Sequence, residues 1–474
     1  MGAALPALIP DLLWMDGGFR RGLAVEYSAE TGRITGIVAA GASASGTVAA
    51  GSGPRIRLRN RALLPGFVDA HSHAFQRVLR GRAQWRPRGE DVSDFWTWRE
   101  AMYRVALALS PEDVFEVSRF CFLEMLCAGI TSVGEFHYLH RDPAGRPYAD
   151  PAELAHRVIA AAEDVGIRIC LLRVAYARGG IDEPIRAEQR RFATPDLESW
   201  LTGTVDLVES VRRRPLVSVG VAPHSIRAVP RHWLGSMHSL AYGLAVPLHM
   251  HVSEQPAEVS ACLQAYGRRP VELLAEAGII DEHFTAVNAT HLTFREVELL
   301  GTPGPTVCAC PGAERDVGDG FMPALELIRA GARIALGTDS QTVIDPLQDM
   351  RLLEYHERLR RQRRVVLARE EDQRQAVAPV LLAMATENGA RSLRLPAGQL
   401  KLGSFADFVA IDLEHRALEG WSDETLDAAL ALTAPGGVVS DVWVGGVQRV
   451  QAGRHRLDRE SAQAFRAAAR RLAI

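Results

Sequence analysis

The chain has 474 residues, 47% hydrophobic and 23% charged, with a formal net charge of -3. That is enough apolar material for one large domain and a smaller one, and the charge gives no general pull toward nucleic acid or an anionic membrane. Six cysteines without a Cys-x-x-Cys pair (Cys308 and Cys310 flank a single Ala) exclude a disulfide framework and a thiolate zinc motif, which fits a reducing cytoplasm.

The amino terminus has no basic region followed by an apolar core, and no apolar run approaches the roughly 20 residues of a membrane helix. A soluble, unprocessed cytoplasmic protein is expected. Residues 1–62 are rich in Gly, Ala and Ser, with short strand-like pieces at Leu23–Tyr27 and Arg33–Val38. Next comes Leu63–His73, an apolar run read as a buried strand with His71 and His73 at its carboxyl end, on one face because strand side chains alternate. Further candidate strands are Ser132–Phe136, Ile167–Leu172, Val217–Val221, Val246–His251, Thr285–Ala289 and Arg333–Gly337, separated by helical patterns such as Pro111–Ala128 and Pro270–Ala277. Repeated βα units over 63–395 predict a (β/α)8 TIM-like barrel, with a doubly wound sheet as the alternative. One strand of the eight has no clear place. Leu359–Arg374, dense in Arg and Glu, reads as a solvated helix face. The tail, 396–474, resumes short strands at Phe408–Asp412 and Asp441–Val450, with Gly445-Gly446 as a hairpin turn. Both termini are therefore expected to form one small β-sandwich domain, 1–62 with 396–474.

What favours the barrel is that strand after strand ends in a polar residue, and barrels gather active-site groups at that face. His71 and His73 are followed by His249-Met250-His251 with Glu254 three residues on, then by His291 and by Asp339. Imidazoles with a carboxylate suit zinc, which accepts nitrogen and oxygen donors and keeps a position open for water.

In these features the chain resembles the amidohydrolase superfamily over nearly its whole length. That resemblance implies His71, His73, His251 and Asp339 as ligands of one Zn2+ per chain, with Glu254 and His291 handling protons and polarisation and Asp339 positioning water. Alternation and the His-x-x-Glu spacing prefer His251 to His249, and no strand-end lysine suggests a two-metal bridge. The segments His71–Arg77, Asp94–Glu100, Gly134–Tyr138, Ala222–Arg227 and Ser253–Glu258 are similar to the formimidoylglutamate deiminases, which convert N-formimidoyl-L-glutamate and water to N-formyl-L-glutamate and ammonia. The Phe95-Trp96-Thr97-Trp98-Arg99 segment is the most distinctive match.

By the same resemblance Gln76, Arg99, Tyr138, His224 and Arg227 bind substrate, and the two arginines suit a small-molecule dicarboxylate because a planar guanidinium can grip a carboxylate with two hydrogen bonds. Some positions depart from the pattern: Thr338 stands where Ser is common, Gln341 where His is common, and Gly312-Ala313 where bulkier hydroxylated residues are common. Two other functions fit less well. A deaminase of a purine, pterin or triazine ring would call for an aromatic clamp, and a silent binding barrel would be expected to have lost a ligand. A homodimer is expected, without nucleic acid or membrane partners.

Overall fold

The computed structural model describes residues 5–40, 53–86, 93–302, 304–369 and 375–472. The chain begins with β1 (Ala7–Met15), β2 (Gly18–Arg20), β3 (Leu23–Ser28), β4 (Arg33–Ala39) and β5 (Arg55–Pro65). At Gly66 it crosses into β6 (Phe67–Ser72). A Cβ at Gly66 would fall 2.1 Å from Thr131 Oγ1, so only glycine passes this junction. The run 63–73, read as one strand in the sequence, is therefore two. Leu63, Leu64 and Pro65 pair with strand residues Ala410, Val409 and Phe408 of the tail, and only Phe67–Ser72 enters the barrel.

The barrel continues through β7 (Ile130–His137), β8 (Arg168–Ala175), β9 (Val217–Pro223), β10 (Leu248–Val252), β11 (Phe284–Asn288), β12 (Thr306–Ala309) and β13 (Arg333–Leu336). These eight strands, β6 to β13, are parallel and lie in sequence order, and a parallel bridge between Ser72 and Asp339 brings the ends of the sheet together. A TIM-like barrel results. Every residue of β6, β7, β10, β11 and β12 is buried, as expected for parallel strands covered on both faces. The strand without a clear place in the sequence is β12, four residues ending just before Cys310-Pro311.

The tail adds β14 (Phe408–Asp412), β15 (Val439–Val444), β16 (Val447–Gln451) and β17 (Arg454–His455) to β1–β5 in one mixed nine-stranded sheet. Gly445 and Gly446, both at positive φ (59° and 77°), make the tight turn between β15 and β16. The sheet curls enough for Tyr27 of β3 to meet Phe408 of β14, ring centroids 5.9 Å apart, around a small core of its own. The last helix, Asp458–Arg471, instead packs on the barrel: Phe465 stacks on Phe120 at 4.4 Å, and Glu460 pairs with Arg119 at 2.9 Å. The helix Pro346–Arg361 ends in arginines held by its own Glu354 and Glu357, and residues 370–374 of the Arg/Glu-rich segment lie outside the described residues. No helix among the described residues is long and apolar enough to cross a membrane.

Candidate metal centre and active site

The strand ends of the barrel bring His71, His73, His251 and Asp339 together, one ligand atom from each lying within 4.8 Å of the others. His73 Nε2 is 3.2 Å from His71 Nε2 and 3.3 Å from Asp339 Oδ1. The far ring nitrogens of two of these histidines are spoken for: Nδ1–H of His73 donates to the Phe136 carbonyl (3.0 Å), and that of His251 to the His224 carbonyl (3.1 Å). Such bonds fix the tautomer with Nε2 unprotonated and turned toward the cluster. Burial, reinforced for His71 and His73 by neighbouring imidazoles, keeps all three rings neutral, His251 being lowered to about 3. Asp339 is the reverse case, its pKa raised by burial and by Glu254. Three imidazoles and a carboxylate with no Lys or Arg paired to it among the described residues are a donor set that fits a divalent ion. His249 stands apart, its Nε2–H donating to the Ser392 carbonyl at 2.9 Å.

Behind the cluster, buried polar side chains lock the strand ends. Asp69 accepts from the Thr338 amide (3.0 Å), the Thr338 hydroxyl (2.5 Å) and the His71 amide (3.2 Å). Glu135 accepts from Ser72 Oγ (2.6 Å) and the Ala74 amide (2.8 Å). Gln341 Nε2 donates to Ser72 Oγ (2.9 Å) and Thr338 Oγ1 (2.8 Å). Thr338 and Gln341, both departures from the family pattern, thus sit behind Asp339 and hold its strand end, while Ala313 reaches the cavity wall. Ser253, Asn288, Asp339 and Gln341 all take positive φ, from 50° to 65°, at this end of the barrel. Non-glycine residues so placed cost about 1 kcal/mol or more each, strain that collects at functional sites.

In front of the cluster is a cavity that takes in His73, His251 and Asp339 together with Glu254 and all five residues expected to bind substrate. Asp94 and Thr97 form a capping box that starts the helix Phe95–Ala108. On that helix Phe95, Trp98, Arg99, Met102 and Tyr103 recur at the three-and-four spacing of one face and line the cavity. Arg99 lies over Trp96 (4.3 Å) and Tyr103 (5.4 Å), its Nε is buried without a partner, and it has no acidic partner among the described residues. Arg227 differs. It pairs with Glu254 at 2.6 Å and with Glu258 at 3.0 Å. Burial opposes its charge, but Glu258 and Glu254 outweigh that and raise its pKa. Arg227 therefore neutralises the site's own acids instead of standing free for a substrate carboxylate. Gln76 donates to the Tyr138 hydroxyl (2.8 Å), which leaves Gln76 Oε1 buried and unpartnered. His224 keeps its Nδ1 on Ser225 Oγ at 3.0 Å.

His291 is the one predicted catalytic residue outside the cavity wall. Its Nε2–H donates to the Asp319 carbonyl at 2.9 Å, which ties the ring to the loop that carries Asp319. The chain turns away at the left-handed Asn288 and Ala289, three residues before it. Asn288, fully buried with both amide atoms lacking a hydrogen bond of normal geometry, lies close enough to Asp339 and Glu314 to favour their charged forms. Asn288 and Asp319 are functional candidates that the sequence reading missed. A polar residue ending the apolar Thr285-Ala286-Val287 run was the available signal for the first, and the glycines flanking Asp319 for the second.

Residues 62–449 match the model of the amidohydrolase family. The chain is 36% identical over 409 residues to a formimidoylglutamate deiminase of Pseudomonas aeruginosa, covering 85% of this chain and 88% of that one. It is 28% identical to an 8-oxoguanine deaminase of the same organism, over 89% and 88% of the two chains. Among solved structures, an amidohydrolase from Brucella melitensis superposes with a TM-score of 0.87 at 33% identity, over 99% of this chain and 100% of that chain. With a barrel closed at Asp339, a His-His-His-Asp cluster at its mouth and these relatives, the chain belongs to the amidohydrolase family and is a hydrolase acting on a carbon–nitrogen bond.

Proposed function

We propose that the protein hydrolyses N-formimidoyl-L-glutamate to N-formyl-L-glutamate and ammonia, using one zinc ion held by His71, His73, His251 and Asp339. The observation that carries this reading is that a half-buried Arg99, its Nε buried and without a partner, shares one cavity with the histidine cluster and with Glu254. A cation left without an acid fits a substrate that brings a carboxylate, and the cluster fits a bond that needs water made nucleophilic. When bound, the ion supplies a Lewis acid that makes water a nucleophile near neutral pH.

The chain's own groups do the rest. Arg99 holds a carboxylate of the glutamate moiety, and the free Gln76 Oε1 accepts an N–H from the substrate, fixing the formimidoyl carbon near the cluster. Glu254 has its pKa raised by burial, with Arg227 pulling it back, which suits a carboxylate that takes a proton from water and passes it to the departing nitrogen. Water adds to the formimidoyl carbon, the carbon–nitrogen bond to the terminal nitrogen breaks, and ammonia leaves with the proton from Glu254.

A second reading, deamination of a planar ring, is favoured by the aromatic wall formed by Phe95, Trp98, Tyr103, Tyr176 and Phe192. It leaves Arg99 without an anion. Ammonia release from N-formimidoyl-L-glutamate, from 8-oxoguanine and from metal-stripped enzyme separates the two. The deiminase reading expects release from the first substrate alone, and only with metal present; release from the ring in preference would overturn it.

A further inference from the structure

We propose that Asp319 is the counter-ion of the substrate's cationic end: its carboxyl pairs with the N–H groups of the formimidoyl amidinium, and so selects cationic substrate over neutral N-formyl product. The proposal rests on the deiminase reading above and names the residue that recognises the reacting group.

Asp319 lines the same cavity as His251, Glu254 and Asp339 and is only 5% exposed. Its backbone is held on three sides. The amide donates to the Glu314 carbonyl (2.9 Å), the carbonyl accepts from His291 Nε2 (2.9 Å), and the flanking Gly318 and Gly320 take φ of 77° and 122°. A Cβ at Gly320 would lie 3.3 Å from Thr290 Cγ2 and 3.5 Å from His291 Cε1, so the loop is pressed against the end of β11. One carboxylate oxygen accepts from Gln255 Nε2. The other makes no hydrogen bond among the described residues.

The charge balance of the cavity assigns the role. Glu254 is neutralised by Arg227, and Asp339 belongs to the metal cluster. Asp319 has no ion-pair partner among the described residues, and the charged groups acting on it, Glu254, Glu314 and Asp339, are all acids. Burial and those acids push its pKa up to about 10. A buried carboxyl facing only other acids is costly. A ligand that brings a positive charge removes that cost, and a planar amidinium, with N–H groups on both nitrogens, is such a ligand. Hydrolysis converts it to a neutral formamide, which loses the pairing and favours release.

The test is to measure KM for N-formimidoyl-L-glutamate, the inhibition constant of N-formyl-L-glutamate and the metal content in wild type and in Asp319→Asn. The expected result is a rise in KM of about tenfold or more, with the inhibition constant changed less than about threefold and metal content unchanged. Gln255→Ala, which frees the carboxyl but keeps it, should raise KM by a smaller factor with the same selectivity and carries the test if Asp319→Asn does not fold. If both constants move together, or KM stays put, in a wild type that is active, the pairing is overturned while the deiminase reading stands. A wild type that releases no ammonia from N-formimidoyl-L-glutamate overturns both.

Discussion

Arg99 and Arg227 look alike in the sequence, and their surroundings give them opposite tasks. Arg99 carries a charge that the protein leaves unanswered, and Arg227 carries one spent on Glu254 and Glu258. Arg99→Gln should therefore raise KM about 10- to 100-fold, the worth of a charge-assisted hydrogen bond, with kcat and thermal stability little changed. Arg227→Gln should lower stability by about 3 kcal/mol or more in urea unfolding, because two buried carboxylates lose their counter-charge. His249 offers a test at a buried histidine that is not itself one of the cluster's ligands. Burial lowers its pKa to about 4, below the unfolded value of about 6.5. Between those two values the unfolded chain binds more protons, so stability falls as pH drops from about 6.5 toward 4, by at most about 1.4 kcal/mol per unit. His249→Gln, which can still donate to the Ser392 carbonyl, should make that acid limb shallower by one histidine's share, the other buried histidines keeping theirs, when urea unfolding is compared at pH 7 and pH 5.

At the scale of elements, the helix Phe95–Ala108 presents five side chains to the cavity and is anchored at its start by Asp94, whose carboxylate accepts from the Trp96 amide (3.0 Å) and the Thr97 amide (3.1 Å). Asp94→Ala should cost about 1 kcal/mol of stability and, by fraying the turn before Arg99, raise KM more than it lowers kcat; an unchanged KM would show that Arg99 is held from elsewhere. Elements with many consecutive apolar residues were legible in the sequence, because strands covered on both faces read as unbroken runs: β7, β8, β9, β10, β11 and β13 overlap the expected segments. What escaped were β12 and the boundaries. β12 has four residues, and the break at Gly66 depends on a contact with Thr131, 65 positions along the chain, which no local pattern contains. The same limit explains His291. Its place near a strand end and the family resemblance pointed to it, whereas β11 ends at Asn288, after which the left-handed turn sets the histidine against Asp319.

Across the whole molecule, the terminal sheet and the barrel are joined by a buried pair, Arg168 with Asp407 at 3.0 Å, with Asp407 also accepting from the Gly445 amide at 2.7 Å and Arg168 lying over Phe405 at 3.5 Å. Asp407→Ala leaves Arg168 buried without its partner and should cost about 3–5 kcal/mol, measured by urea unfolding monitored at two wavelengths. If sheet and barrel unfold as one unit, both signals shift together; separate transitions would show that the sheet is only loosely coupled. The barrel in turn holds the cluster and Glu254 at one end of the cavity, and on the proposed deiminase reading this placement determines which carbon–nitrogen bond breaks. Reaction of N-formimidoyl-L-glutamate in 18O-labelled water, with products identified by mass spectrometry, reads that choice directly. The predicted result is one equivalent of ammonia and N-formyl-L-glutamate labelled in the formyl group. Labelled formamide with free glutamate, or no reaction by the metal-loaded enzyme, would contradict it.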